Sequence, residues 1–410
     1  MTRGDVVVTG MGVTTSLGGD VPTTWDGLLA GRSGVRRIDD VLARHPHADR
    51  LPVRIGAPLA VPPARVLDPA EAARLDPVQQ AALVAAREAW ADARRPQVDP
   101  VRLGVSLGTA LGGIHTLLGE HDAVHRDGPA AARRSGGGRA ISGGASAAVS
   151  IAFGARAFLH APTSACAAGA EAIAHGARMI RAGEADVVIA GGADTCLTPV
   201  VLASFAAAGA ISLRNDEPEA ACRPFDAARD GLVIGEGAGI LILERAEFAA
   251  ARGARALAHL PGAASTADGY HPTSPDPSGD GQFRAMRGAL AAAGLTPDDI
   301  DHVSCHATST RAGDPVEALS VHKALGTGAA ATCVKAGLGH SMGAAGAVAS
   351  VLAVQAILHS LVPPTRNLDH PAPGVELDVV TGGPRPMPIQ AALCNAFGFG
   401  GYNTSLVFTR

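Results

Sequence analysis

Short runs of aliphatic and β-branched residues alternate along this chain with longer stretches in which apolar side chains recur every three to four positions. Residues 6–9 read as a strand, 78–93 as a helix, 103–107 as a second strand. After Ala167, the stripe Ala170, Ile173, Ala174, Ala177 and Ile180 predicts a further helix, and residues 187–190 and 240–244 read as strands. The series then begins again: a strand at 256–260, a helix around 282–293, strands at 302–306 and 332–335, a helix near 344–359, and strands near Ala391 and Ser405. Two similar α/β halves meeting near residues 250–256 are expected from this order. The repeat lies in the order of elements; no residue identity between the halves is evident at this level.

Composition narrows the class. With 410 residues, 47% hydrophobic and 18% charged, the chain can bury a large core and is too apolar for disorder. A formal charge of -4 gives no general attraction to nucleic acid or to an anionic membrane. Arg126, Arg133, Arg134 and Arg139 read either as a local basic patch or as a solvated loop. No signal-peptide pattern opens the chain and no uncharged apolar run is expected to span a bilayer, so a soluble cytoplasmic protein is expected. Six cysteines lie far apart without CxxC spacing, which implies neither disulfides nor a metal site; Cys305 beside His306 lacks further ligands at short spacing. Gly235, Gly237 and Gly239 resemble a dinucleotide loop superficially, but Glu236 inside the loop would repel phosphate and a strand pattern follows.

Three side chains carry candidate chemistry. Cys166 stands among small residues, Pro162 to Gly169, at the point where an extended segment becomes a helix. A helix start favours thiolate, and small neighbours admit a substrate; a buried structural cysteine is the competing reading. His306 and His340 each follow a strand-like run and precede small residues. A thiol with two imidazoles suits acyl chemistry, because sulfur accepts an acyl group as a thioester and neutral histidines can donate to a carbonyl that becomes an enolate.

The ordered motifs around these residues resemble the elongating, discrete (type II) β-ketoacyl-acyl carrier protein synthases, a branch of the thiolase-like condensing enzymes. They include residues 164–169, 183–186 with 191–193, Arg214-Asn215-Asp216, 223–226 with 229–231, 306–310, 335–346 and 395–401, and span nearly the whole chain. The resemblance implies a thiolase-like fold: two βαβαβαββ halves, 1–252 with the nucleophile and 253–410 with both histidines, in a five-layered α-β-α-β-α core. It implies catalysis by Cys166, His306 and His340 with Lys335 in support, and an oxyanion hole from the backbone N–H groups of Cys166 and Phe399. Phe399 and Phe397 would gate the acyl pocket, Thr308 and Thr310 would hold a phosphopantetheine arm, and Leu111 would line the pocket. The implied reaction is decarboxylative condensation of malonyl-acyl carrier protein with an acyl chain on Cys166. No cofactor is implied beyond the carrier's phosphopantetheine, and no metal. The implied partners are an acyl carrier protein and a second ketosynthase-type chain, as a homodimer or a heterodimer with a chain-length-factor-like subunit.

Two departures stand out. The family's glutamate after the Lys335 loop is Ala349 here, which leaves a lysine without its expected counterion. Upstream of the nucleophile, residues 133–144 are glycine-rich, with Gly136 among them, where relatives carry bulky apolar side chains; a looser acyl pocket, or one filled by a partner, is expected. Fatty-acid and polyketide roles both fit. A chain-length factor typically lacks the nucleophile, and a thiolase would use a second cysteine, for which Cys394 near the last glycine-rich loop is the candidate.

Overall fold

The computed structural model describes residues 5–410 except 44, 46 and 47. Its first series of elements is β1 (Val6–Thr14), α1 (Pro77–Asp92), β2 (Leu103–Gly108), α2 (Gly144–Phe153), β3 (Leu159–His160), α3 (Ala168–Arg181), β4 (Val187–Asp194) and β5 (Gly237–Arg245). The second is β6 (Ala258–Ala267), α4 (Asp280–Ala293), β7 (His302–Ser304), α5 (Gly313–Leu325), β8 (Ala330–Thr332), α6 (Ala345–His359), β9 (Ala391–Gly398) and β10 (Tyr402–Thr409). Both read βαβαβαββ. From the centre outward the strand order is β1-β5-β4-β2-β3 on one side and β6-β10-β9-β7-β8 on the other, the same arrangement twice.

The two sheets are continuous rather than separate. Val7 and Val8 of β1 pair antiparallel with His259 and Ala258 of β6, joining the halves into one eleven-stranded sheet whose extra edge strand is Asp378–Val379. Helices α3 and α6 touch strands of both halves and each other, and so form the middle layer, with α1 and α2 outside one half and α4 and α5 outside the other. The five-layered thiolase-like architecture is therefore present. Three of the apolar clusters among the described residues fill the spaces between these layers, the largest around α3 and α6.

Local signals explain the boundaries. Asp76 caps α1 by accepting from Val78 N, Gln79 reaches back to the Asp76 N–H, and Pro77 occupies the first turn where no N–H is missed. Helix α3 buries the stripe read from the sequence. Residues 332–335 are not a strand: Thr332 ends β8 and Lys335 opens a helical turn, Lys335–Leu338. The glycine run at 136 also winds into a short helix, Gly136–Ala140. One uncharged run, Met342–His359, is long and apolar enough to cross a membrane, contrary to expectation; it is 89% buried as the central helix α6 and its lead-in. Arg126 and Arg133 pair with Asp127 and Glu120, which argues against a free basic patch, but the segment is not a loop throughout: Arg126 lies in the last turn of a helix, Ile114–Asp127, and Arg139 lies in Gly136–Ala140. The opening residues 1–4 lie outside those described.

The middle layer depends on small residues. A Cβ at Gly169 of α3 would stand 2.7 Å from Gly343 O and 3.0 Å from Ala347 Cβ, and one at Gly346 of α6 would stand 2.9 Å from Ala170 Cβ. The duplication also shows in outer packing: a Cβ at Gly10 would meet Ala89 O at 2.2 Å and one at Gly262 would meet Ala289 O at 2.2 Å. Overpacking a close-packed crossing costs about 1–3 kcal/mol. Gly169→Val is accordingly expected to destabilise the fold by that amount, read as a lower urea midpoint at unchanged m. Gly137→Ala, whose new methyl would meet no atom within 4 Å, should be neutral or stabilising by up to about 1 kcal/mol.

Candidate active site

Cys166 occupies a single 3-10 turn, Ala165–Ala167, that feeds directly into α3. Ala165 sits at φ +49°, a left-handed conformation unfavourable for a residue with a Cβ, and this sharp turn presents the sulfur at the helix start. The turn before α6 is its counterpart: Met342 also has φ +49°, and Met342–Ala344 is again 3-10. Aligned on these turns, Ser164, Ala167, Ala168, Gly169 and Ala170 match Ser341, Ala344, Ala345, Gly346 and Ala347. The halves thus do share residues, in a stretch short enough to be overlooked without the fold.

His340 lies just ahead of this second turn. Its N–H donates to Val233 O at 2.7 Å and its carbonyl accepts from Gly235 N at 2.9 Å, which fixes the loop. The result is His340 Nε2 at 3.1 Å from Cys166 Sγ. His306, just beyond β7, stands edge-on to His340 with ring centroids 5.3 Å apart, and the sulfur and both imidazoles place donor atoms within 4.8 Å of one another. Such a trio could also ligate a metal ion; the field of nearby Lys335, which pushes both imidazoles down, opposes a cation there.

Burial dominates the electrostatics. It pushes the Cys166 thiol up to about 11, against the Lys335 charge and the N–H groups of Phe399 and Cys166 itself. The helix start therefore does not win in the unliganded site, and Cys166 is a thiol at neutral pH. Burial first, and Lys335 second, hold His306 and His340 well below the ordinary histidine range. Both are neutral, and the Nδ1 atoms of both lack a protein partner.

Lys335 is 3% exposed. The negative group facing it comes from α5 rather than from α6: Glu317 is fully buried and accepts N–H bonds from His306, at 2.7 Å, and from Ala307. Burial raises Glu317 to about 7, while those two N–H groups and Lys335 pull it down. Glu317 thus acts on Lys335 through its field, and no ion pair joins the two among the described residues. Asp314, one turn earlier, accepts from Phe225 N, Thr308 N and Thr310 N and so shapes the threonine loop. Asp194, ending β4, accepts from Thr109 Oγ1, Ala110 N and Gly343 N and ties the loop after β2 to the turn before α6. Sequence reading missed all three carboxylates; acidic residues three apart on an otherwise buried helix after the His306 loop were the available signal for Asp314 and Glu317.

A cavity of about 250 Å³ opens onto this group. Cys166, His306, His340, Phe397, Phe399, Thr308 and Thr310 all line it. Phe399 stacks on Phe205 with centroids 5.8 Å apart, and Phe397 lies edge-on to His306 at 6.0 Å. Gly398 is required between them, since a Cβ there would lie 2.9 Å from Ser164 O and 3.1 Å from Cys166 N. Leu111 and Gly136 are not part of the cavity wall: Leu111 is 36% exposed with its N–H held by Asp194, and Gly136 packs against Glu120. Cys394 faces Ser350 and the Gly346 carbonyl rather than the cavity.

A thiol on a strained turn, two neutral histidines and convergent N–H groups within a duplicated α/β fold define a condensing enzyme of the thiolase-like class. Comparison with known proteins agrees. The profile of the beta-ketoacyl synthase N-terminal domain matches residues 3–249, and that of the C-terminal domain matches residues 257–369. The 3-oxoacyl-[acyl-carrier-protein] synthase 2 of Mycobacterium tuberculosis (strain ATCC 25618 / H37Rv) is 44% identical over 407 residues, 99% of this chain and 97% of the relative. That of Coxiella burnetii is 39% identical over 416 residues, 100% of this chain and 99% of the relative. Among solved structures, the ishigamide ketosynthase/chain length factor superposes with a TM-score of 0.90 at 33% identity, covering 100% of this chain and 99% of that one. A type II polyketide acyl-carrier protein in complex with its ketosynthase bound to the hexaketide gives 0.90 at 31% identity over 100% and 99%. The chain belongs to the β-ketoacyl synthase family and is an elongating condensing enzyme.

A thiol near 11 sets a testable reactivity. Iodoacetamide alkylation of Cys166, followed by intact mass, should accelerate by about tenfold per pH unit from pH 7 to 9. A plateau near neutrality would show instead that the sulfur rests as thiolate paired with His340.

Proposed function

We propose that Cys166, His306 and His340 carry out decarboxylative condensation on carrier-bound substrates, the first half of the chain (1–252) supplying the nucleophile and the second (253–410) both histidines. The 3.1 Å contact between His340 Nε2 and Cys166 Sγ carries this reading. In the first stage Cys166 Sγ attacks the acyl-carrier thioester, its proton passes through His340 to the departing carrier thiolate, and a Cys166 thioester remains. In the second, malonyl-carrier thioester binds, the bond to its carboxylate breaks, carbon dioxide leaves, and the enolate oxygen accepts from His306 and His340. Neutral imidazoles suit this role, since each can donate one N–H without first losing a proton. The enolate carbon then attacks the Cys166 carbonyl, whose developing oxyanion meets the N–H groups of Cys166 and Phe399. Collapse releases the sulfur and gives a β-ketoacyl-carrier product.

Phe399, stacked on Phe205, and Phe397 gate the cavity, and Thr308 and Thr310, with Oγ1 atoms 3.1 Å apart, border the path of the phosphopantetheine arm. Burial, helped by the field of Lys335, keeps both histidines neutral. The substrates bring their own phosphopantetheine and no other cofactor takes part. The chain acts in the cytoplasm on an acyl carrier protein in fatty-acid or type II polyketide synthesis. Its second partner is another ketosynthase-type chain, a like copy or a chain-length-factor-like subunit, seated against the β3 edge of the sheet. That edge carries Leu159 at 53% exposure, and α2 beside it carries Ile151 at 82%, apolar surface of the kind that marks an interface.

Three outcomes test the reading. With acyl- and malonyl-carrier thioesters followed by mass spectrometry, Cys166→Ala should abolish enzyme acylation, and absence of acylation in the unaltered protein would sink the proposal. His306→Ala and His340→Ala should each slow malonyl decarboxylation by about 10²–10³-fold. Ile151→Asp should shift the sedimentation profile toward monomer; an unchanged profile would remove this edge as the contact.

A further inference from the structure

The cavity holds polar groups that the chemistry above does not use. Gln282, the third residue of α4, lines it, is 4% exposed, and leaves its Oε1 without a hydrogen-bond partner. An unpaired buried amide carbonyl is costly, so it persists where a ligand supplies the missing donor. Its polar neighbours on the wall are already engaged. Asn403 Nδ2 donates to Asp268 Oδ1 at 2.6 Å and to Gly401 O at 3.2 Å, and Asp268 Oδ2 accepts from Asp276 N. The second group is Arg311, exposed, adjoining Thr310, and, among the described residues, the only lysine or arginine on the cavity wall. Its backbone carbonyl accepts from Arg229 Nη2, while its guanidinium has no ion-pair partner among the described residues.

A ligand that satisfies both groups carries an amide within the cavity and an anion at an accessible end. The phosphopantetheine arm has this order of groups: thioester, two secondary amides and a phosphodiester. Resting on the reading of the site as carrier-dependent, we infer that Gln282 pairs with a secondary amide of the arm and that Arg311 binds its phosphodiester. A glutamine side chain is complementary to a secondary amide, since Oε1 accepts the N–H and Nε2 donates to the C=O. A guanidinium is likewise suited to phosphate oxygens. The two groups select carrier-type substrates over simple thioesters through binding and leave the reaction itself to Cys166, His306 and His340.

The test uses three malonyl thioesters that share the reacting end: phosphopantetheine, pantetheine without phosphate, and a propyl thioester with neither amide nor phosphate. Decarboxylation kcat and KM are measured with each. Gln282→Leu should raise KM by about tenfold for the first two and leave the propyl thioester unchanged; Arg311→Ala should raise it by about tenfold for phosphopantetheine alone. In all cases kcat should hold, and Arg311→Lys should recover part of the loss. Equal shifts across all three thioesters, or no shift, would overturn the inference. Gln282→Met, close in volume, serves if the leucine variant does not fold. Failure of the unaltered enzyme with every malonyl thioester would instead remove the carrier-dependent reading on which the inference rests.

Discussion

The crossing of α3 and α6 is the constraint on which the rest of this molecule depends. Each helix begins at the same place in the middle layer, and glycine at 169 and 346 with alanine at 170 and 347 lets the two backbones approach to van der Waals contact. Residues just ahead of each helix are therefore delivered to one point. Cys166 comes from the first lead-in and His340 from the second, although 174 positions separate them in sequence. Larger side chains at the crossing would separate the helices, and with them the sulfur and the imidazole.

Burial at that point decides the ionisation of everything near it. A sulfur pushed up to about 11 and two imidazoles held down leave the three reacting groups uncharged at rest, with Lys335 and the buried carboxylates Glu317 and Asp194 around them. Glu317 does two jobs in this arrangement: it fixes the backbone of the His306 loop through two N–H bonds, and it offsets the lysine charge. Because that carboxylate is placed by the backbone of the His306 loop, a negative field reaches Lys335 without the family's glutamate at position 349.

Much of the architecture was legible because both halves alternate strand and helix patterns in the same order. The crossing helix α3 showed a clean apolar stripe, whereas α6 is apolar all round and resembled a membrane span by composition alone. Cys166, His306, His340 and the Phe397 to Phe399 loop were readable from motifs, and the fold gathers them around one cavity. Leu111 and Gly136 do not reach it. Their placement depends on how the loops after β2 and before α2 fold over one another, a tertiary matter that spacing does not encode. Asp194 was invisible for a related reason: a carboxylate whose partners are backbone N–H groups far away in sequence leaves no pattern of its own.

The duplication also explains why the site has a single nucleophile. Position 343 is the counterpart of Cys166, but a Cβ there would stand 2.4 Å from Ala110 N and 2.5 Å from Asp194 Oδ2. The carboxylate of Asp194 holds the Gly343 N–H at 2.7 Å, closing in the second half the space that is open in the first. Conversely, Thr163 occupies the position equivalent to His340. Two copies of one lead-in turn have thus diverged into a sulfur donor and an imidazole donor, and the fold's internal symmetry brings them to one point where their chemistry differs.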